Sequence, residues 1–353
     1  MNKPLVSVIV PTYNRAHCVN RAVDSVLEQT YPDCEVVIVD DGSTDNTQQT
    51  IKDRYGGNDS VKYLKKQNGG VSSARNAGFK AALGACIALL DSDDIWKKRK
   101  IESQVAVLNA LPQVGMVWSD MEAVDPQGEL LQERYLRTMY HAYRWYEDGG
   151  LFAEHAKLAE LTTVDLDPVS GTEVYWGDIF SQMVMGNLVH TSTVVLTRDR
   201  LDKVQGFNED LRITGEDYDF HLRTCREGPV AYIDASTIAY QIGADDQLTH
   251  PSLTLHMAEN FLKTIEPVIE QDRARIQLPD EMIRQVLAEA HGWIGRELLK
   301  TGRNSEARKA LTRAAKLAPR ERDTWVWLAA TYLPKSAHNL AKRAYRRLHA
   351  SGP

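Results

Sequence analysis

The sequence contains no apolar run close to the roughly 20 residues that a membrane-spanning helix needs. Its N-terminus passes from Met1 almost directly into a strand-like segment and lacks the features of a signal peptide. Its four cysteines are scattered without a CxxC spacing, so the sequence indicates neither a zinc site nor a disulfide framework. With 43% hydrophobic and 25% charged residues, the composition predicts a globular protein of the reducing cytoplasm.

The chain also lacks a uniform charge. Residues 296–353 contain 14 lysines and arginines against 4 acidic residues, a net charge of +10. Because the whole chain of 353 residues carries −6, the remainder carries −16. Such a basic tail suggests an anionic partner, a membrane surface or an acidic protein, although a solvated helical face explains it equally well. We expect no nucleic-acid partner.

What the sequence does have is four short apolar runs, each followed by a polar or Gly-rich turn. Runs of this length predict buried parallel strands, and the intervening segments have the spacing of amphipathic helices. The order predicts an α/β fold with a doubly wound, mostly parallel sheet, in which ligands bind beyond the carboxyl ends of the strands. The runs and their turns are residues 6–10 with 11–15, 36–39 with 40–43, 61–64 with 68–70, and 86–90 with 91–94.

The later sequence is less regular. Residues 191–197, 230–233 and 237–242 read as strands, and residues 216–226 read as a helix. From about residue 255 the pattern is helical to the end. There, positions from Trp293 to Pro319 resemble one tetratricopeptide repeat, and positions from Trp325 resemble the start of a second.

Two acidic clusters carry the predicted chemistry. Asp91, Asp93 and Asp94 follow a strand, and three carboxylates this close repel one another unless a cation or protons relieve them. Their oxygens suit Mg²⁺ or Mn²⁺, although an acidic helix start explains them too.

Glu216 and Asp217 form the second cluster and begin the predicted helix at 216–226. A carboxylate there can act as a general base, but spacing alone favours an ordinary helix start.

Two further features point to a nucleotide. The turn at residues 68–70, with Arg75 and Asn76, offers backbone N–H groups and a guanidinium to phosphate or base oxygens. Tyr13 is placed to stack on a base, although an aromatic ring at a sheet edge is more often simply packed. Each of these signals is weak alone.

In this order, the motifs resemble the family 2 glycosyltransferases, which have the A-type glycosyltransferase fold. The matching segments are PTYNR at 11–15, DDGS at 40–43, NGGVSSARN at 68–76, LLDSDD at 89–94 and GEDYDFHLR at 215–223. The resemblance covers about residues 4–245. It implies a hexosyltransferase-type enzyme that transfers a sugar with inversion from a nucleotide donor, usually a UDP-sugar, to an acceptor hydroxyl.

The resemblance also implies roles for particular residues. Asp217 is the catalytic base, and Glu216 helps to position the acceptor. Asp91 and Asp93 bind the ribose and the divalent ion, Mn²⁺ or Mg²⁺, with Asp93 as the direct ligand. Arg75 supports the nucleotide, while Pro11, Tyr13 and Asp41 hold its base. The full set of expected donor-binding residues is Pro11, Thr12, Tyr13, Asn14, Arg15, Asp41, Gly70, Arg75, Asp91, Ser92 and Asp93.

One position departs from the family pattern. Members often have a Tyr-Arg-x-His stretch after the last strand, whose histidine can join the metal shell. Here Gly243 stands where that histidine is expected, and His250 is the nearest substitute along the chain. The third protein ligand therefore stays open between His250 and water.

These readings predict two regions. Residues 1–250 form the catalytic domain, with residues 121–190 as an acceptor-side insertion, and residues 251–353 form a basic helical region. The acceptor would be a saccharide or lipid-linked molecule of cell-surface polysaccharide or glycoconjugate synthesis. The tail would bring the enzyme to the inner face of the membrane; a homodimer contact is the alternative use of the same helices.

Two alternative functions share some of these sequence features. A sugar-phosphate nucleotidyltransferase would share the sheet and the metal carboxylates, but it normally needs a Gly-rich loop after the first strand, and PTYNR contains no glycine. A non-catalytic binding scaffold would use the repeat-like tail on a degenerate domain. Retention of Asp93, Asp217 and Arg75 argues against such decay.

Overall fold

The structure is a computed structural model that describes residues 3–146, 150–242 and 253–333. The described residues divide into two compact units. The first unit comprises residues 3–212 and 216–242, and the second comprises residues 213–215 and 253–333. Each unit is described by itself below.

The first unit begins with the predicted alternation of strands and helices. Three of its first four strands are largely buried and apolar, as strands covered on both faces should be. The third, at the edge of the sheet, is partly exposed. The first four strands and the helices between them are β1 (Val6–Thr12), α1 (Val19–Leu27), β2 (Cys34–Asp40), α2 (Thr47–Tyr55), β3 (Val61–Lys65), α3 (Val71–Ala81) and β4 (Cys86–Leu89).

The register of these strands fixes where the turns lie. Strands β3, β2, β1 and β4 are neighbours in that order and run parallel. Thr12 pairs with Asp40, and Asp40 pairs with Lys65. Because the carboxyl ends of parallel strands meet at one edge, the turns that follow these strands begin side by side there.

The later part of the first unit adds strands of both directions. In the described part of the chain the sheet has eleven strands, in the order β3-β2-β1-β4-β10-β6-β11-β9-β8, with β5 on β11 and β7 on β6. The doubly wound α/β fold is thus confirmed. The later elements are β5 (Ile95–Trp96), α4 (Lys100–Ala110), β6 (Met116–Val124), β7 (Leu130–Gln132), α5 (Leu136–Met139), a 3₁₀ turn (His141–Trp145), β8 (Glu154–Lys157), α6 (Leu158–Leu161), β9 (Glu173–Gly177), α7 (Phe180–Met183), a 3₁₀ turn (Thr191–Thr193), β10 (Val195–Thr197), α8 (Arg198–Val204), α9 (Glu216–Arg226) and β11 (Val230–Gln241).

Three predicted strands differ from those observed. Of the strand predicted at 191–197, only Val195–Thr197 joins the sheet, because Thr191–Thr193 forms a 3₁₀ turn. The two strands predicted at 230–233 and 237–242 are one strand, β11, whose pairing with β6 shifts between Ile233 and Ser236 and again before Ala239. A pattern of apolar residues cannot separate one irregular strand from two short ones.

The second unit is helical, as predicted. Buried leucines and alanines of its helices pack around Trp327, and Gly295 allows the close approach of the Leu311 side chain. None of the helices in the described ranges combines the length and the apolar character that crossing a bilayer requires. The basic tail at 335–353 lies outside the described residues. The helices are α10 (Thr254–Gln271), α11 (Asp280–Lys300), α12 (Asn304–Leu317) and α13 (Arg322–Ala330).

Candidate active site

Arg75 is the centre of the candidate site. Its side chain is only 4% exposed, and its guanidinium donates to Asp91 Oδ1 at 2.7 Å and to Glu216 Oε1 at 3.1 Å. The same group lies 4.8 Å from the centroid of the Phe207 ring. One buried cation therefore joins α3, the acidic loop after β4 and the start of α9.

The three carboxylates of the acidic loop after β4 have different partners. The Asp91 backbone N–H donates to Ser192 Oγ at 3.0 Å, while its side chain meets Arg75. Asp94 is buried, and its Oδ2 lies 3.2 Å from His190 Nε2. Asp93 keeps 34% of its side chain exposed and lies 3.7 Å from the Arg15 guanidinium. Burial, with Asp94 and Asp91 nearby, raises the pKa of Asp93 to about 6.

Glu216 and Asp217 lie at the first turn of α9, as the sequence predicts. Burial raises the pKa of Glu216 to about 7; the Asp217 charge adds to this rise and Arg75 opposes it. Burial likewise raises the pKa of Asp217. Asn187 Nδ2 donates to Asp217 Oδ2 at 3.0 Å and so orients the carboxylate. A buried carboxylate with a raised pKa is a suitable general base.

His190 is a site residue that the sequence reasoning missed. Its Nε2 faces Asp94, and its Nδ1 lies 3.2 Å from the Tyr140 hydroxyl. Burial alone would lower the pKa of His190, but the carboxylates of Asp94 and Asp91 outweigh it and raise the pKa. Only the topology could have identified this residue: β10 runs antiparallel to β4, so residues preceding β10 lie beside those following β4.

Three side chains of this cluster are arranged as metal ligands are. Asp91, Asp94 and His190 each offer an oxygen or nitrogen atom, and these atoms lie within 4.8 Å of one another. Two carboxylates and an imidazole suit Mn²⁺ well, whereas Mg²⁺ prefers oxygen ligands alone. The group differs from the predicted set, because Asp93 is not part of it and His250 and Gly243 lie outside the described residues.

The expected base-binding residues lie where β1 ends. Pro11 and Thr12 are buried, whereas Tyr13 is 48% exposed. The Asn14 side-chain oxygen accepts from the Thr44 backbone N–H at 2.8 Å, and the Arg15 backbone N–H donates to Thr47 Oγ1 at 2.9 Å. These bonds fix the turn after β1 against the turn after β2 and leave the Tyr13 ring at the surface.

Asp41 fixes a second loop. Its carboxylate accepts from the backbone N–H groups of Gly69 and Gly70, at 3.0 and 2.7 Å, and from Lys66 Nζ at 2.7 Å. Gly70 has a φ of +90°, which favours glycine, and directly precedes α3. Asp41 therefore fixes the backbone at the start of the helix that carries Arg75, and Lys66 forms an ion pair with the same carboxylate.

The chain is similar to several known proteins. The family model described as Glycosyl transferase family 2 matches residues 7–153. An uncharacterized glycosyltransferase of Rickettsia typhi, RT0329, is 30% identical over 251 residues, which cover 71% of this chain and 67% of that protein. One from Rickettsia felis is 30% identical over 237 residues, covering 67% of this chain but 34% of that protein. This chain thus spans about a third of the R. felis relative's length.

Solved structures show the same fold. The crystal structure of Staphylococcus aureus TarS 1–349 in complex with UDP-GlcNAc matches with a TM-score of 0.63 and 19% identity, covering 97% of this chain and 92% of that chain. The mannosyltransferase PcManGT from Pyrobaculum calidifontis, in complex with GDP-Man and Mn²⁺, matches with a TM-score of 0.55 and 17% identity, covering 100% and 89%.

Proposed function

The chain belongs to glycosyl transferase family 2, and on that premise we propose that it moves a sugar, with inversion, from a nucleotide-sugar donor to an acceptor hydroxyl. The donor we propose is a UDP-sugar, and the acceptor a saccharide or a lipid-linked molecule in cell-surface polysaccharide or glycoconjugate synthesis. The UDP-GlcNAc complex of TarS and the GDP-Man complex of PcManGT support a nucleotide-sugar donor.

The observation that most strongly supports this proposal is that Arg75 bonds to two carboxylates at once. It holds Asp91, on the donor-side loop, and Glu216, on the acceptor-side helix, within one hydrogen-bonded group. Asp217 directly follows Glu216 along the chain, and we propose that its carboxylate faces the anomeric carbon of a donor bound at that loop. Asp217 takes the proton of the acceptor hydroxyl as the acceptor oxygen attacks the anomeric carbon of the donor. The bond from that carbon to the diphosphate breaks and the nucleoside diphosphate leaves, while Glu216 orients the acceptor. Direct displacement gives inversion without a covalent intermediate.

The same cluster fits a divalent ion. Asp91, Asp94 and His190 supply the atoms that would hold it. Asp93, the direct ligand that the family resemblance implies, lies in the same loop. Bound there, Mn²⁺ or Mg²⁺ would neutralise charge on the donor diphosphate. The Mn²⁺ complex of PcManGT supports this assignment.

The remaining donor-binding residues are assigned by position. Pro11, Thr12, Tyr13 and Asp41 line the turns at one edge of the sheet, where they would hold the base. Asn14, Gly70 and Ser92 would shape the backbone around the ribose and phosphates. Arg15 and Arg75 add positive charge on either side of the acidic loop, which an anionic diphosphate needs.

A donor screen tests the proposed function. The full chain is incubated with Mn²⁺ and UDP-, GDP- and dTDP-sugars, and release of the nucleoside diphosphate is measured with and without saccharide acceptors. We expect UDP release that depends on the metal and rises with an acceptor. Release of pyrophosphate from a sugar phosphate and a nucleoside triphosphate would instead show a nucleotidyltransferase. Failure with every donor would remove the enzymatic assignment.

We also propose that the basic C-terminal tail brings the enzyme to an anionic membrane surface, where a lipid-linked acceptor would lie. Each lysine or arginine near such a surface contributes about 1 kcal/mol. We expect removal of residues 335–353 to reduce sedimentation with anionic liposomes and to leave binding to neutral liposomes unchanged. Equal sedimentation of both proteins would contradict the membrane role and leave the dimer contact.

A further inference from the structure

The segment that precedes β10 contacts the acidic loop of the candidate metal site at two points. Ser192 Oγ accepts from the Asp91 backbone N–H at 3.0 Å, and His190 Nε2 lies 3.2 Å from Asp94 Oδ2. The pairing of β10 with β4 begins only at Val195. The ladder of the sheet therefore does not by itself fix the residues from His190 to Ser192, and other bonds must hold this turn in place.

Two buried side chains hold the carbonyl groups of this turn. Trp96 Nε1 donates to the Ser192 carbonyl at 2.9 Å, and Gln104 Nε2 donates to the Thr193 carbonyl at 2.7 Å. The Thr193 hydroxyl in turn donates to the His190 carbonyl at 2.6 Å. Because Gln104 is fully buried on α4, it can influence the candidate metal site only through the residues that it holds.

Lys100 fixes the direction in which the Gln104 amide points. Lys100 Nζ donates to Gln104 Oε1 at 2.7 Å and lies 4.1 Å from the centroid of the Trp96 ring. The amide nitrogen then faces the carbonyls of Thr193 and Val117, which can only accept. Lys100 is fully buried, and burial lowers its pKa well below the usual range. Burying such a group is costly, and this one contacts both side chains that hold the turn.

The helix that carries Gln104 also continues from the acidic loop. Asp94 and His190 are 96 residues apart in the sequence, so non-covalent contacts must set the distance between them. Gln104 follows Asp94 by ten residues, through β5 and the first turn of α4. One short stretch of chain therefore carries the carboxylates at one end and holds the turn that presents the imidazole at the other.

We propose that Gln104 is a positioning residue for the candidate metal site. This inference rests on the proposed function, in which the acidic loop and His190 hold a divalent ion. By holding the Thr193 carbonyl, Gln104 keeps His190 beside Asp94 and keeps the turn bonded to the Asp91 backbone. Loss of a residue that orients metal ligands in this way typically weakens metal binding by about 10- to 100-fold.

The double variant Lys100→Met/Gln104→Met tests the proposal. It removes the amide and its buried partner together, so neither of the two is left unpaired, and the flexible thioethers fill the space. A second variant, Gln104→Glu, retains an acceptor for Lys100 but replaces the amide nitrogen that holds the turn with an oxygen. Circular dichroism and thermal unfolding show whether each full-length variant folds.

The main measurement is a titration of the full chain with Mn²⁺, with and without UDP, followed by the electron paramagnetic resonance signal of the free ion. We expect both variants to bind Mn²⁺ about 10- to 100-fold more weakly than the wild type. Because neither substitution touches Asp217, excess Mn²⁺ should restore kcat in the transferase assay. A general loss of folding would not be repaired in this way.

Val107→Ala is the matched control. Val107 is fully buried on the same helix, but its side chain is apolar, so truncation should lower the Tm and leave Mn²⁺ affinity at the wild-type value. Wild-type affinity in a folded Gln104 variant would overturn the proposal, as would an equal loss of affinity in Val107→Ala.

The remaining outcomes separate this proposal from the proposed function. Failure of both Gln104 variants to fold would assign the residue to folding alone and would also overturn the positioning role. Mn²⁺ binding by the wild type without sugar transfer from any donor would contradict only the proposed function. A wild type that binds no Mn²⁺, with or without UDP, would contradict the metal site and with it the role of Gln104.

Discussion

At the scale of the residue, the most specific proposal is that Asp217 acts as the general base. Asn187 Nδ2 donates to its Oδ2, and an asparagine at 217 can keep that bond through its own oxygen. We therefore expect Asp217→Asn to fold normally, to bind the donor nucleotide as the wild type does, and to lose kcat by about 10²-fold or more, because no base remains. The exposed Asp202→Asn is the control. Steady-state kinetics with equal turnover in both variants would remove Asp217 from the role of base.

The pH dependence of kcat/KM follows from Asp217 and its neighbour Glu216. The base must be ionised, and burial raises the pKa of Asp217 and brings that of Glu216 to about 7. Protonation of this base on acidification should therefore reduce kcat/KM at a pH above the pKa of an ordinary aspartate. Glu216→Gln removes a negative neighbour of Asp217, so the acidic limb should move to lower pH.

Glu227→Gln, which removes an exposed charge just after the same helix, should leave the limb in place. The measurement is kcat/KM across the acidic and neutral range for the three proteins. A limb that moves equally in both variants, or in neither, would show that Asp217 does not titrate in this way.

Residues differ in how far the sequence alone could identify them. Asp91, Glu216 and Asp217 stand in motifs, and the structure brings Asp91 and Glu216 to one arginine. His190 and Lys66 stand in no motif, and they meet Asp94 and Asp41 only because of strand neighbours far apart in the chain. Pairing across a sheet is set by topology, which a local pattern does not encode.

At the scale of the element, α3 determines how closely the site can assemble. Arg75 and Gly78 are one turn apart and both buried. A Cβ at position 78 would overlap the Ile9 side chain on β1 and lie 3.3 Å from Val39 on β2. The glycine lets the helix lie close to the two strands, which brings Arg75 within reach of both its carboxylates.

Gly78→Ala should therefore destabilise the first unit, although alanine is the better helix former. Overpacking costs about 1–3 kcal/mol, whereas the gain in helix propensity is at most about 1 kcal/mol. Urea unfolding should show a lower midpoint than for the wild type, whereas the exposed Lys80→Ala on the same helix should change it little. A variant at position 78 that is as stable as the wild type would contradict the close packing.

The strands also differ in how well the sequence predicts them. The βαβ alternation up to β4 was predictable because the apolar runs of β1, β2 and β4 are largely buried, whereas β3 is partly exposed. The later strands are short or irregular, and β11 changes its register against β6 twice. Their apolar pattern gave the approximate positions but not the pairing partners, which arise from contacts between distant segments.

At the scale of the whole molecule, one short segment belongs to a different unit from its neighbours along the chain. The tripeptide Ile213–Gly215 belongs to the helical second unit, although it lies in the chain between two segments of the first. Within the second unit, Asn260 Nδ2 donates to the Thr214 carbonyl at 2.7 Å, and Gly215 has a φ of +83°. The next residue along the chain is Glu216, the first residue of α9.

This connection predicts an effect of the helical unit on turnover. Asn260→Ala removes the hydrogen bond to Thr214 and should loosen the approach to Glu216 and Asp217. Because small displacements of a base are costly, we expect kcat to fall by about tenfold, with little change in donor affinity. Gln271→Ala, an exposed change at the end of the same helix, should have the kinetics of the wild type. Identical kcat values in both variants would mean that the helical unit supports folding or partner binding and not the geometry of the base.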